Sequence, residues 1–388
     1  MRRSFVVGLV VMLVAAACGG AGTGTGAPAG TTLPAPGSNG SITFLDTAGG
    51  ANFQAFFGKL VPDAEKELGI KISYLPGSGA DLLTRLKAQG AGQGDVGLAL
   101  LKPDVLGNMI DAKVPFSTLT DAKAEIPNLS LIDPADLKEA FGVATNGRAT
   151  PFWRDQFGII YDSKKIANPP TSWNDFYARR AEWKGHIGMI RPDAGSGGGR
   201  LMMRDFLIGA GVDFSKTFPE PLQSTPEWTA GLAKFKDFSS NFYQPLAGEP
   251  NTLFQQFKQG DVWITEYAID FTLWSADQGL LQQTVKASVF PSGMYGGASY
   301  LAAPANASPE QKKNANALIN WLLSEKTQLR MLTEMYQYMA INKFDGVPAK
   351  INERIPAWET VKTRRIPLAN LPSFNWLKEN GGTYVGKP

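Results

Sequence analysis

The chain has 388 residues, 43% of them hydrophobic and 19% charged, with a formal net charge of +3, one cysteine and one histidine. That apolar content is enough for a sizeable core, and a charge so near balance excludes the basic surface that nucleic-acid binding needs. A single cysteine and a single histidine exclude an internal disulfide framework and a His/Cys zinc cluster.

Residues 1–17 open with Arg2 and Arg3, continue through an apolar run at 5–16 and end in small residues before Cys18. A run of about a dozen apolar residues is too short to span a membrane as a helix and reads as the core of a signal peptide. Cys18, the lone thiol after Ala15-Ala16-Ala17, is expected to carry a lipid, since it has no disulfide partner. Arg2-Arg3 also hints at twin-arginine export, but nothing else in that pattern is present, so ordinary secretion is expected. From 18 to 40 the chain is nearly all Gly, Ala, Thr, Pro and Ser, a composition that cannot bury enough surface to order itself. It reads as a tether whose root-mean-square reach is roughly 25 Å. Removing the leader's two arginines brings the net charge to about +1.

The remaining body of about 348 residues exceeds one ordinary domain and predicts two lobes. SITFLD (41–46) alternates as a strand does and leads through TAGG (47–50) into a helical pattern over 53–68. The same order of strand, glycine turn and helix recurs at 70–75, 76–79 and 81–89, and a third apolar strand follows at 95–101. Alternating strands and helices predict a parallel sheet covered on both faces. Glycine turns admit a ligand close to the backbone, and helix amino ends offer unpaired N–H groups. Thr47, Gly49, Ser78 and Gly79 are therefore candidate contacts, although each loop reads equally well as an ordinary turn.

Farther on, Trp173 and Trp183 flank a short helix capped by Ser172 and are expected in the core, and His186 in its apolar run reads as structural. RPDAGSGGGR (191–200) precedes a helix rich in Leu, Met and Phe. This loop has the makings of an anion site through Ser196, backbone N–H groups and Arg191 or Arg200, and reads equally as a flexible turn. Helical patterns at 219–242 and 251–260 follow, with Phe254 and Phe257 on a buried side. A strand over 262–267 then passes at Ala268-Ile269-Asp270 into a helix-like 271–276. Ligands in open α/β proteins sit beyond the carboxyl ends of strands, which makes Glu266, Tyr267 and Asp270 candidate contacts. A strand over 287–291, a glycine-rich loop and an apolar strand ending at 303–306 come next. Helices over 309–324 and 327–335 carry a core face, and a proline-punctuated tail from 343 is expected to wrap the first lobe.

In this order, GSGADLLTRLKAQ (77–89), FGIIYDSKKIANPPTSWNDFYARRAEWKG (157–185), the 260–304 stretch and NANALINWLLSEKTQLRMLTEMYQYMAIN (314–342) resemble the solute-binding proteins of ATP-binding cassette importers. The resemblance is to the group that includes polyamine, thiamine, ferric-ion and aminophosphonate receptors, and it covers most of the chain after the tether. It implies a two-lobed, periplasmic-binding-protein-like α/β fold of the second type, with a hinge and a cleft between lobes. The first lobe would comprise 41–148 and 289–388, the second 149–288, with the chain crossing at Pro151-Phe152-Trp153. Trp153 at the crossing and Tyr300 in the apolar strand complete the expected contacts, alongside Arg191, Ser196, Glu266, Tyr267 and Asp270. The resemblance implies a monomeric lipoprotein on the outer face of the cytoplasmic membrane. It would capture a small solute in the cleft and deliver it to a membrane permease, using no cofactor, resident metal or nucleic acid.

In polyamine receptors the strand corresponding to 262–267 resembles a β run followed by Trp-x-x-Asp, and Tyr267-Ala268-Ile269-Asp270 has that spacing with Tyr for Trp. An aromatic face with carboxylates suits an organic cation. The loop at 47–50 lacks the aromatic of those receptors, and Arg191 stands where they place acids. A polyamine- or thiamine-like cation or zwitterion is therefore the expected solute, with a phosphonate, another small anion or ferric ion as the alternative. Catalysis is not expected: no Gly-x-Ser-x-Gly elbow is present, and Cys18 is assigned to the anchor. Glu266 and Asp270 would be the carboxylate pair of a remote hydrolase alternative, and a surface lipoprotein without solute is the other.

Overall fold

A computed structural model of the chain describes residues 40–386, apart from 48–49, 78–79, 92–93, 141, 215–224, 344–345 and 368–369. The expected signal peptide, Cys18 and most of the tether, together with Gly49, Ser78 and Gly79, lie outside the described residues. In chain order the first elements are β1 (Ser41–Asp46), α1 (Ala51–Leu68), β2 (Lys71–Pro76), α2 (Ala80–Gly90), β3 (Val96–Leu101) and α3 (Pro103–Asp111). After two short strands, β4 (Glu139–Ala140) and β5 (Val143–Ala144), comes β6 (Thr150–Asp162). Helices α4 (Trp173–Ala178), α5 (Gly198–Gly209), α6 (Pro226–Ser239) and α7 (Pro250–Gln259) lead to β7 (Ile264–Ala268) and α8 (Ile269–Asp277). Next are β8 (Val285–Ser288), β9 (Met294–Ala302), α9 (Pro309–Leu322), α10 (Glu325–Met335) and β10 (Tyr338–Met339). The chain closes with α11 (Ala349–Arg354), α12 (Trp358–Val361), β11 (Arg365–Ile366) and α13 (Leu371–Asn380).

The amino-terminal pattern folds as its periodicity predicts. β1 is buried along nearly its whole length because it is central: it pairs in parallel with β2 on one side, Ser41 opposite Lys71, and with β3 on the other. α1 crosses between β1 and β2, burying Phe56, Phe57, Leu60 and Ala64, and ends where Gly69 takes the left-handed conformation at its C-cap. The parallel arrangement stops there. β3 pairs antiparallel with β9, and β9 pairs antiparallel with β6, so the sheet is mixed.

β6 is the element on which the rest is hung. Its first half, Thr150 to Gln156, pairs with β9, and its second half pairs with β7 from Phe157 to Tyr161 and with β8 from Ile159 to Asp162. The β6–β9 register shifts between Pro151 and Trp153. A proline has no N–H for the ladder, and a bulge is where a strand tolerates that loss and bends. β8 ends at Ser288, earlier than the expected strand over 287–291, since Pro291 cannot donate and Phe290 turns inward onto Trp173 at 5.6 Å.

Ser172 caps α4 by accepting from the Asp175 N–H at 3.0 Å, and Trp173 and Trp183 are both buried. Trp173, Phe176, Phe206 and Phe238 pack edge and face against one another at 5.0–6.0 Å. His186 stacks on Trp263 at 3.6 Å, and its Nδ1 lies 2.7 Å from the Asp261 carbonyl, a structural placement. The tail does more than was expected of it. It lays β11 beside β9, then carries α13 to α5 and α6, within residues 149–288, because Trp376 and Phe374 form an apolar face that meets Trp228 and Arg200. No helix among the described residues is long and apolar enough to cross a membrane.

Candidate functional site

Strands that end at one edge of a sheet hand the chain to helices whose amino ends point the same way. The amino ends of α1, α3, α5, α7 and α8 accordingly converge on a cavity of about 480 Å³, within the range of small-molecule sites. Asp155 and Phe157 from β6, Tyr295 and Ser299 from β9 and Phe374 from α13 complete its walls.

Period-two alternation along β7 decides which of its side chains reach the cavity. Tyr267 lines it, packed edge-on against Phe157 at 5.5 Å and near Phe254 and Phe271. Glu266 points to the opposite side, fully buried beside Asp205, which itself pairs with Arg204 at 2.6 Å and accepts from the Tyr295 N–H. Burial, and then the neighbouring Asp205 carboxylate, push the Glu266 carboxyl well above the usual range.

Asp270 follows Ile269 in the first turn of α8 and is buried on the cavity wall. Burial chiefly, and the Asp155 charge next, push it up to about 8 against the pull of the Asp270 and Phe271 backbone N–H groups. Asp155 stands across from it on β6. Its carboxylate accepts from the Trp153 Nε1–H at 2.8 Å and the Gln337 Nε2–H at 3.0 Å, and burial pushes it up to about 6 despite those bonds. Neither Asp155 nor Asp270 forms an ion pair among the described residues. Arg365 and Lys102 act on Asp155 without reaching ion-pair distance, whereas no protein cation acts on Asp270, so the wall favours added positive charge at Asp270.

The loop before α5 is shaped by close approach. A Cβ at Gly198 would sit 2.7 Å from Tyr267 Cε2, and one at Gly199 would sit 1.9 Å from the Ile190 carbonyl oxygen. Ser196 and Arg200 line the cavity from this turn. Arg200 is 3% exposed; its guanidinium donates to the Pro192 and Ala194 carbonyls at 3.1 and 2.7 Å and lies 4.8 Å over the Phe374 ring.

Of the residues expected from the sequence, Ser196, Tyr267 and Asp270 are brought together on the cavity. The other expected residues that the structure describes are placed elsewhere, each for a visible reason. Thr47 is buried with its Oγ1 donating to the Leu100 carbonyl, tying β1 to β3. Trp153 lies one layer back, stacked on Phe53 at 4.5 Å and holding Asp155. Arg191 is 56% exposed and faces Asp193. Tyr300 has the wrong parity on β9: Tyr295 and Ser299 face the cavity, while Tyr300 donates to the Glu139 carbonyl at 3.1 Å on the other side. Glu266 is turned away, as above. The wall residues that sequence reasoning did not single out are chiefly Asp155, Asn52, Phe53 and Tyr295. Asp155 carried the one readable signal, an acid in the polar step Arg154-Asp155-Gln156 between the apolar runs 151–153 and 157–160.

The family model for bacterial extracellular solute-binding proteins matches residues 59–350. Among solved structures, the spermidine/putrescine ABC transporter substrate-binding protein PotD of Streptococcus pneumoniae aligns at 17% identity with a TM-score of 0.67, covering 89% of this chain and 99% of that one. A ribitol-bound ABC transporter solute-binding protein of Agrobacterium radiobacter K84 aligns at 16% identity with a TM-score of 0.72, over 91% and 94%. Iron-bound HitA of Pseudomonas aeruginosa aligns at 15% identity with a TM-score of 0.65, over 88% and 99%. No curated protein sequence matches the chain.

Proposed function

Because the chain belongs to the bacterial extracellular solute-binding protein family, whose members deliver small solutes to a membrane permease, we propose that it captures a small organic solute bearing a cationic amine. The observation that carries this reading is Asp270, buried on the cavity wall beside Asp155 with no lysine or arginine acting on it. Aromatic faces at Phe53, Phe157, Tyr267 and Phe271 suit the alkyl or ring carbons of such a solute and the face of its charge. The similarity to a spermidine/putrescine transporter's substrate-binding protein from Streptococcus supports an amine, while the ribitol-bound and iron-bound proteins show how widely one fold is used.

In this reading the lobes are 41–148 with 289–388 and 149–288, and the bulge at Pro151–Trp153 near the start of β6 is the crossing about which they close. The division of β6 between β9 and the β7–β8 pair supports that placement. Closure would be favoured only by a solute that contacts both walls, and a permease that recognises the closed form would then read occupancy. A thermal-shift panel of polyamines, thiamine and its phosphates, aminophosphonates and ferric complexes tests the solute class. Amine-bearing compounds are expected to stabilise the protein, by about 2.7 kcal/mol at a hundred times the dissociation constant. Stabilisation by ferric or purely anionic compounds alone would refute the amine reading.

Anchoring through Cys18 is the second part of the proposal, with the body acting as a monomer tethered at the outer face of the membrane. Cys18→Ala is expected to move the protein from the membrane fraction to the medium while leaving solute affinity unchanged. Equal membrane retention of the variant would rule out the lipid at this position.

A further inference from the structure

We infer that the solute carries an acidic group as well as its amine, seated at the amino end of α5 by Ser196 and Arg200. The inference rests on the amine reading above and narrows it to zwitterions.

The polar inventory of the cavity shows a second, opposite demand. Arg200 is 97% buried by difference from its 3% exposure, and its Nε–H has no partner among the described residues although its Nη1 is bound twice. Ser196 Oγ is likewise enclosed without a partner among the described residues, two residues before the glycine that starts α5. The first-turn N–H groups of this 12-residue helix, at Gly198 and Gly199, have no acceptor within the helix, and no side chain caps it. Glycine at both positions leaves that turn bare of Cβ atoms. Ser196 and Arg200, both on the cavity wall, thus carry a hydroxyl and a guanidinium N–H without a partner among the described residues, beside the uncapped amino end of α5. A carboxylate, phosphate or phosphonate oxygen is the chemical complement.

The opposite wall supports the same arrangement. Asn52, 1% exposed in the first turn of α1 and on the cavity wall, has neither amide atom partnered among the described residues. Lys102 adds a cation beside it. The acids that would oppose an anion are Asp104, Glu249, Asp155 and Asp270. Asp104 and Glu249 stand at the amino ends of α3 and α7, where a helix favours an acid in its own right. That leaves Asp155 and Asp270 to meet an ammonium, while Ser196, Arg200 and the α5 turn meet the acid. A bare diamine would leave the second set unmet, and a diacid would leave the first.

The test compares pairs that differ only in the acidic group: choline with phosphocholine, 1-aminopropane with 4-aminobutanoate, and thiamine with thiamine monophosphate. Titration calorimetry on the full chain is expected to show the acid-bearing member of at least one pair binding about tenfold tighter or more. Ser196→Ala should cut that advantage by about threefold to tenfold and leave the bare amine's affinity unchanged. Arg200→Lys, which keeps the charge and loses the Nε–H, should cut it in the same direction and provides a second variant if either folds poorly. Bare amines that bind as tightly as their acidic partners in every pair, or an advantage untouched by both substitutions, would overturn this inference and leave the amine reading standing. Acid-bearing members that bind equally well to Asp270→Asn would overturn the amine reading instead. No binding by any of the six compounds counts against both.

Discussion

Asp270→Asn is expected to weaken binding of an amine solute by about 30-fold or more, which corresponds to about 2 kcal/mol for a charge-assisted hydrogen bond lost in a desolvated site. The size follows from the surroundings. Asp270 is buried on the cavity wall with no protein cation to share it, so an ammonium placed there would be its sole opposite charge. Asp155→Asn should act in the same direction and less strongly, because the Trp153 and Gln337 donors already stabilise that carboxylate. Glu266→Gln makes an informative contrast, since Glu266 faces Asp205 on the far side of β7 and its change should leave affinity near the parent value. Calorimetric titration of the three variants with one amine reads the order directly. An Asp270→Asn protein that binds as well as the parent, or better, would exclude a cation at this wall.

The same two acids give the interaction a defined pH dependence. In the empty protein Asp155 is pushed up to about 6 and Asp270 to about 8, both above the ordinary aspartate value. At pH 7 Asp270 is therefore largely protonated, and a permanently charged amine must displace that proton to pair with it. Affinity should rise between about pH 6 and pH 8 and level above, with proton uptake by the buffer near pH 7. For the empty protein the sign is opposite. A raised folded pKa means more bound protons than in the unfolded chain, so these groups stabilise fully below about pH 4 and lose that contribution as pH rises through 6 and 8. A bound amine should restore stability most at the alkaline end.

Local chemistry made much of the fold legible. The alternation in 41–46, the glycine at 69 and the serine caps at 172 and 308 all specify elements through interactions within a few residues. The end of β7 was legible as a site for a similar reason: a strand that stops at Ala268 and restarts as a helix delivers Tyr267 and Asp270 to one rim. The same rule of alternation also separates Glu266 from Tyr267, a step that neighbouring acids in sequence make easy to overlook. Asp155 was hidden because its environment is assembled from far away. Its partners are Trp153 on its own strand and Gln337 after α10, and its role depends on β6 being shared between distant strands. The choice between Arg191 and Arg200 was equally non-local. Both flank the same glycine loop, and only the packing of α13, through Phe374, encloses one and leaves the other in solvent.

Gly199→Ala is expected to destabilise the protein by about 3 kcal/mol, the upper range for forcing an extra methyl group into a closed interior. The methyl would lie 1.9 Å from the Ile190 carbonyl oxygen, 2.9 Å from its carbonyl carbon and 3.0 Å from that of Arg191. All three are backbone atoms, so no rotamer change can make room. The segment they belong to is also held from behind: the Arg191 N–H donates to the Ala247 carbonyl at 2.8 Å, and the Ala247 N–H to the Met189 carbonyl at 3.1 Å. Relief must come from moving the first turn of α5, which carries Arg200 and follows directly on Ser196 and Gly197, and solute affinity should fall along with stability. Alanine's better helix propensity recovers only about 1 kcal/mol of the loss. Gly195→Ala is the matched control, because nothing lies within 4 Å of its added methyl, and it should stay within about 0.5 kcal/mol of the parent. Urea unfolding of the two variants separates the cases, and a Gly199→Ala midpoint equal to that of Gly195→Ala would show that α5 does not press on the Ile190 backbone as described.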